Sequence, residues 1–153
     1  YRALARDMGW HLQFLIDARD LTPLASRIGK LSVPVAIDHW GHFPVSRGLD
    51  DEGFRTLVSL ARDGAWVKLS GAYRNSVAGS PYADTIPFAR AVHEAAPDRC
   101  VYGSDWPHVA HYGPMMNVGD LLDLLADWVP DAAARDRVLV DNAHRLYGFG
   151  AAG

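Results

Sequence analysis

Short apolar runs alternate with helix-patterned stretches along this chain. The apolar runs cover residues 10–16, 33–39, 65–70 and 99–104. Between and after them, apolar residues recur with helical spacing, and the pattern predicts helices at about 52–62, 84–96, 118–128 and 131–146. Near-continuous apolar strands that alternate with helices indicate βαβ units and a parallel sheet covered on both faces. We therefore predict a single α/β unit over residues 1–153.

Polar side chains stand at the end of every predicted strand. They are Gln13 with Asp17, Asp38 with His39, Lys68 with Ser70, and Ser104 with Asp105. The carboxyl ends of parallel strands meet at one edge of a sheet, and α/β folds place their chemistry at that edge. The four polar strand ends therefore predict a functional site there.

Composition narrows the classes of function. The net charge is −3 without a basic stripe, so we expect no nucleic-acid partner. No apolar run approaches the roughly 20 residues that span a bilayer, so we expect no membrane partner. The only cysteine, Cys100, excludes an internal disulfide and cysteine-rich metal sites. A reducing, cytoplasmic location fits this single thiol.

Strand periodicity gives Asp105 and His39 their expected positions. Asp105 follows Gly103 by two residues and His39 follows Ile37 by two, so each is expected to continue an inward-facing row. Trp106 has the opposite parity and is expected to cover the helix side of its strand. The alternatives are a turn aspartate before Trp-Pro and a hydrogen-bonded core histidine.

Further polar residues near the strand ends are candidates for binding. Lys68 is expected to point inward, where a lysine is costly unless it has a partner, so it is either functional or ion-paired. Gln13 is expected either to contact the substrate or to fill space at the opening of the site. His108 and Tyr73 are candidates on the loops, where an ordinary loop role is the alternative.

Four motifs carry a resemblance to a known family. They are IDHWGHFP (37–44), WVKLSGAYR (66–74), VYGSDWPH (101–108) and DNAHRLYGF (141–149). They resemble the closing motifs of amidohydrolase-related TIM-barrel hydrolases, above all the 2-pyrone-4,6-dicarboxylate and sugar-acid lactonases. The resemblance implies the C-terminal half of a (β/α)₈ barrel, about strands 5–8 with their helices. Such barrels typically have about 250 residues, so we expect a partial barrel that lacks its N-terminal half.

The resemblance also implies roles for individual residues. Asp105 would be the general base that activates water, and His39 would polarise the substrate carbonyl. Arg74 would clamp a substrate carboxylate, a task that suits the guanidinium fork. His108 would orient the substrate or assist Asp105. His42 stands where relatives often carry arginine, which puts one anionic contact in doubt. The implied substrate is a small lactone of a carboxylate or sugar acid.

Several alternatives stay open at this point. A catalytic zinc generally needs three protein ligands, whereas only His39 and Asp105 are convincing candidates here. One divalent metal such as zinc is therefore open, and the lactonase resemblance favours a metal-independent site. Other interpretations are a metal-dependent non-oxidative decarboxylase and a non-catalytic half-barrel. Open sheet edges invite pairing, so a homo-oligomer is a further expectation.

Overall fold

The fold is built on a four-stranded parallel sheet. The computed structural model describes residues 2–114 and 116–149. The strands are β1 Leu12–Phe14, β2 Val35–Ile37, β3 Trp66–Leu69 and β4 Cys100–Tyr102. They lie in the order β1-β2-β3-β4, and every neighbouring pair is parallel. The α/β class and the parallel sheet are thus as predicted, although each strand is shorter than its apolar run.

Helices precede the first strand, connect the strands and follow the last of them. They are Arg2–Asp7, Ala25–Ile28, Glu52–Arg62, Ala72–Asn75, Ile86–Ala95, Val118–Trp128, Ala132–Asp136 and Asn142–Tyr147. The helices predicted at 52–62 and 118–128 have these bounds because Asp51 and Asn117 cap their first turns. The helix predicted at 131–146 is interrupted by a π-helical turn, Arg137–Asp141. No helix within the described ranges is long and apolar enough to cross a membrane.

The two faces of the sheet have different partners. Val35, Ile37, Val67, Leu69 and Cys100 belong to the main core, which they share with the helices. The alternating residues Ala36, Trp66 and Val101 form a second, smaller buried cluster with Leu146. The register pairs Gln13 with Ala36 and Lys68 with Val101, so both polar side chains stand on the face of this smaller cluster.

Two sequence expectations about side-chain direction are wrong. Val35 and Ile37 lie in the helix-side core, so the row that His39 was expected to continue faces the helices. His39 nevertheless reaches the carboxyl edge because its backbone turns at a positive φ of 49°. Trp106 does not cover the helix side and is 73% exposed. In both cases the backbone leaves the strand before the residue in question, so strand parity no longer applies.

The edges of the sheet lead to a first prediction. Within the described residues, β1 and β4 each pair with only one neighbour, and beside β1 the side chains of Trp10 and Leu15 are 55% and 68% exposed. We expect the 153-residue chain, when produced alone, to self-associate rather than form an active monomer, since open edges and apolar surface favour pairing. Sedimentation velocity over a concentration series tests this. A monomer that unfolds cooperatively and turns over substrate would contradict it.

Candidate active site

Asp105 is the centre of a cluster of polar groups at the carboxyl edge of the sheet. It lies just beyond β4 in a left-handed turn, with φ of 62°. Its Oδ2 accepts hydrogen bonds from the Tyr73 hydroxyl at 2.6 Å and from Arg74 Nε at 2.7 Å. Its Oδ1 lies 3.5 Å from His39 Nε2. One carboxylate oxygen is thus held by two donors, while the other faces the imidazole.

These contacts decide the charge of Asp105. Burial raises the pKa of this carboxyl, but the hydrogen bonds from Tyr73 and Arg74 and the charges of His39 and Arg74 outweigh that effect. The pKa of Asp105 therefore lies below its ordinary value, and the group is ionised at neutral pH. Tyr73 keeps its proton for the complementary reason, because burial and the neighbouring carboxylate raise its pKa.

His39 faces Asp105 as a neutral ring. Burial lowers the pKa of His39, which outweighs the opposing effect of the Asp105 and Asp38 charges. Its Nδ1 lies 2.8 Å from Ser70 Oγ at the end of β3. This contact occupies one ring nitrogen and directs Nε2 towards Asp105. A neutral imidazole with a fixed orientation can donate a hydrogen bond to a substrate oxygen.

The segment His39–His42, which we call the HWGH turn, has a left-handed backbone. Its φ angles are 49°, 38°, 74° and 46°. This conformation costs roughly 1–2 kcal/mol at each non-glycine residue, so surrounding contacts must hold it. The buried Trp40 ring supplies one of them, because its Nε1 donates to the Ser70 carbonyl at 2.9 Å. Gly41 is required here, since a Cβ would lie 2.8 Å from Ala18 Cβ.

Lys68 belongs to a second cluster of polar side chains at the carboxyl edge of the sheet. Its Nζ is 2.7 Å from Asp38 Oδ1, with the geometry of an ion pair rather than of a directed hydrogen bond. Asp38 Oδ2 accepts a 2.7 Å hydrogen bond from Gln13 Nε2. The inward lysine therefore has an internal ion-pair partner, one of the two outcomes expected from the sequence. A Cβ on Gly103 would lie 3.1 Å from Lys68 Cδ, so this glycine makes room for the lysine stem.

An open cleft of about 470 Å³ connects the two clusters of polar side chains. Its lining is Gln13, Asp38, His39, Lys68, Tyr102, Gly103, Ser104, Asp105, Trp106 and Tyr147. Four of the residues predicted for the site, Gln13, His39, Lys68 and Asp105, thus meet in one space. The exposed Trp106 also lines this cleft.

The other predicted residues lie behind the cleft. Tyr73 and Arg74 contact Asp105, and Arg74 Nη2 also donates to the Val109 carbonyl at 2.7 Å. His108 is 2% exposed and stands edge-on to the Tyr73 ring, with ring centroids 5.3 Å apart. The structure thus places the guanidinium of Arg74 on a protein carboxylate. Its role as a clamp for a substrate carboxylate stays a prediction.

Sequence reasoning missed two residues of this region. Asp38 was recognised only as a polar strand end, although an inward lysine on the neighbouring strand calls for a carboxylate at this position. Asn75, which is fully buried, donates to the His39 carbonyl at 3.0 Å. No sequence signal could identify Asn75, because its role depends on the left-handed HWGH turn.

The comparison with known families decides the relationship of this chain. The profile of the family described as Amidohydrolase matches residues 2–149. The chain belongs to the amidohydrolase family. This family match and the lactone-related names of the relatives below together confirm the resemblance seen in the four motifs.

Three relatives illustrate this similarity. A 4-sulfomuconolactone hydrolase of Rhizobium radiobacter is 43% identical over 148 residues, which are 94% of this chain and 49% of the relative. A 2-pyrone-4,6-dicarboxylate hydrolase of Comamonas testosteroni is 36% identical, with 92% and 49% covered. A D-galactarolactone isomerase of Agrobacterium fabrum is 34% identical, with 95% and 50% covered. The chain thus spans about half the length of these relatives.

One solved structure is likewise matched over about half of its length. The apo crystal structure of an Agrobacterium tumefaciens protein superposes with a TM-score of 0.84 at 31% identity. The superposition covers 97% of this chain and 54% of that protein. This agrees with the expected partial barrel. The assignment of the strands as the last four of eight stays a prediction.

The described residues do not by themselves form a metal site. Within residues 2–114 and 116–149, no group of three or more His, Cys, Asp or Glu side chains is arranged to hold a metal ion. His39 and Asp105 supply two candidate ligands, fewer than the three of a typical catalytic zinc site. A Burkholderia multivorans amidohydrolase was solved with bound zinc, but at 20% identity and a TM-score of 0.71 this likeness shows the fold alone.

Proposed function

We propose that this protein hydrolyses a lactone, with Asp105 as the general base and His39 as the group that polarises the carbonyl. The observation that carries the proposal is the arrangement of one carboxylate. Asp105 lines the cleft, its Oδ2 accepts from two donors, and its Oδ1 lies 3.5 Å from His39 Nε2. This leaves one ionised oxygen to take a proton from water, beside a ring that can stabilise an oxyanion.

The proposed reaction has two proton transfers. Asp105 Oδ1 accepts a proton from water while the water oxygen attacks the lactone carbonyl carbon. His39 donates a hydrogen bond to the carbonyl oxygen as negative charge develops there. The tetrahedral intermediate then expels the ring oxygen, which takes the proton back from Asp105. The product is a hydroxy acid, and the aspartate is ionised again.

The proposed substrates carry an acidic group. Two relatives bear the names of hydrolases acting on a sulfomuconolactone and a pyrone dicarboxylate. Lys68 lines the cleft, and Arg74 lies directly behind Asp105. We propose that these cations attract a carboxylate or sulfonate and so place the lactone carbonyl near His39. Gln13 and Tyr73 supply further hydrogen-bonding groups nearby.

A second candidate is lactone isomerisation, which the name of the galactarolactone isomerase relative favours. Here a hydroxyl of the substrate attacks the carbonyl in place of water, and Asp105 accepts its proton. The two reactions share every catalytic group and differ in the nucleophile. The metal-dependent decarboxylase stays an untested alternative.

The proposal is tested by turnover of defined lactones. The natural full-length protein is incubated with muconolactone-type and pyrone lactones that carry a carboxylate or sulfonate, and with matched neutral lactones. We expect ring opening of the anionic compounds, detected as proton release and as the hydroxy acid or its tautomer by mass spectrometry. Absence of turnover on all anionic lactones, or equal turnover of the neutral ones, would contradict the proposal.

Arg74 gives a prediction about pH. In Arg74→Ala, Asp105 loses a donor that favours its ionised form, so the pKa of Asp105 rises towards its ordinary value or above it. The base is active only when it is ionised, and so the acid limb of kcat/KM should move to higher pH. We also expect KM to rise more than kcat falls, because a cation near the substrate anion is lost. Rates measured between about pH 3 and pH 8 test both effects.

Arg47→Ala is the matched control for this variant. Arg47 Nε forms the same 2.7 Å contact with the carboxylate of Asp51, on an exposed part of the chain outside the cleft. Its loss should leave the acid limb unchanged. An unshifted limb in Arg74→Ala would show that this arginine does not govern the ionisation of the base.

A further inference from the structure

The short helix Ala72–Asn75 contacts both members of the proposed catalytic pair. Tyr73 and Arg74 donate to the carboxylate of Asp105, at 2.6 Å and 2.7 Å. The next residue, Asn75, donates from Nδ2 to the backbone carbonyl of His39 at 3.0 Å. Three consecutive side chains of one turn therefore reach both the base and the segment that carries the histidine.

The Asn75 contact is a buried, directed hydrogen bond. The residue is 0% exposed, so water does not replace it as the donor. The amide orientation is determined by its partner, because the reverse orientation would bring two carbonyl-type oxygens to 3.0 Å. Without this donor the His39 carbonyl would lose its side-chain partner in the interior, which is unfavourable for a buried backbone group.

The contact falls where the backbone most needs support. His39 is the first of the four left-handed residues of the HWGH turn. Its ring is also confined by the loop after β3, since a Cβ on Gly71 would lie 3.0 Å from His39 Nδ1. Ser70 holds the ring and Asn75 holds the backbone, so the direction of Nε2 depends on both contacts.

We propose that Asn75 is a positioning residue that holds the HWGH turn in its left-handed form and thereby keeps His39 Nε2 beside Asp105. This inference rests on the proposed function, in which His39 polarises the carbonyl. Asn75 itself does not line the cleft. It acts on the reaction only through the backbone of His39.

The test uses Asn75→Asp in the natural full-length protein, because this change keeps the shape of the side chain and, with the carboxyl group ionised, leaves no donor. A small displacement of a catalytic group can cost up to about 100-fold in rate, and we expect kcat to fall by about 10- to 100-fold. KM should change by less than about threefold, since substrate binding groups are untouched.

Asn142→Asp is the matched control. Asn142 is also 0% exposed and donates to the backbone carbonyls of Pro97, in the turn before β4, and of Cys100, the first residue of β4. Neither residue lines the cleft. Loss of the Asn142 donor should lower the melting temperature without this fall in kcat below the melting transition. An equal fall of kcat in both variants would assign Asn75 to general stability and overturn the proposal.

A double variant separates positioning from other effects. In a His39→Ala background, Asn75→Asp should change kcat by less than about twofold, because the group that it positions is already absent. An undiminished effect in that background would overturn the proposal.

A structural measurement keeps the inference independent of the reaction. The ¹³Cα shifts of His39 and Trp40 should move away from left-handed values in Asn75→Asp and stay unchanged in Asn142→Asp. If no lactone is turned over, the proposed function fails, while these shifts still decide whether Asn75 holds the turn. Unchanged shifts in Asn75→Asp would overturn the positioning role.

Discussion

Asp105→Asn in the natural full-length protein is expected to fold normally and to lose about 100-fold or more of its activity. General bases typically contribute about 10²–10⁴ to the rate, and an amide cannot accept the proton. The amide oxygen can still accept hydrogen bonds from Tyr73 and Arg74, so the local structure should persist. Measurement of kcat together with the melting temperature tests both statements.

Asp51→Asn provides the control for this substitution. Asp51 also pairs with an arginine, Arg47. Because it caps the helix Glu52–Arg62, where asparagine is equally suited, this change should leave both activity and stability close to wild type. Turnover near the wild-type rate in Asp105→Asn would reduce Asp105 to a turn residue and remove the basis of the proposed mechanism.

Lys68→Met is expected to give the largest loss of stability among the cleft residues. The substitution keeps the apolar stem and leaves Asp38, which is 8% exposed, without its cation. Removal of one partner from a buried pair leaves an uncompensated charge, which costs about 3–5 kcal/mol in full burial. Because the lysine is partly exposed, we expect the free energy of unfolding to fall by about 2 kcal/mol. Urea denaturation of the natural full-length protein measures this value.

Lys30→Met is the matched control, since Lys30 is the other lysine of the chain and is exposed. Its loss should change the free energy of unfolding by less than about 0.5 kcal/mol. Asp38→Asn added to Lys68→Met should recover part of the lost stability because it removes the unpaired charge. Equal effects of the two lysine substitutions would show that the Lys68–Asp38 ion pair does not stabilise the cleft.

The features that were predicted correctly are those that local sequence patterns determine. The helix Val118–Trp128 was predicted with the correct bounds because the apolar spacing ends before Pro130, and the structure adds a cap by Asn117. The parallel sheet followed from the alternation of apolar runs and helices. The convergence of Gln13, His39, Lys68 and Asp105 followed from the rule that carboxyl strand ends share one edge.

The features that the sequence did not predict depend on irregular backbone conformations. Strand parity gave the right face for Lys68 because β3 includes this residue. It failed for His39 and Trp106, which follow their strands in turns with positive φ at His39 and Asp105. Three of the four HWGH residues are not glycine, and a positive φ is uncommon at non-glycine residues, so propensity argues against four such residues in a row. Only tertiary contacts, such as those from Ser70 and Asn75, make it possible.

Hydrolysis in H₂¹⁸O directly tests whether water attacks the lactone carbonyl, which is the step that Asp105 is proposed to assist. The wild-type full-length protein is allowed a single turnover of an anionic lactone whose ring oxygen leaves as an alcohol, because a keto product would exchange its oxygen with water. The position of the label is read by mass spectrometry. We predict one ¹⁸O atom in the new carboxylate and none in the hydroxyl released from the ring. Label in that hydroxyl, or conversion of the substrate without any label, would contradict it.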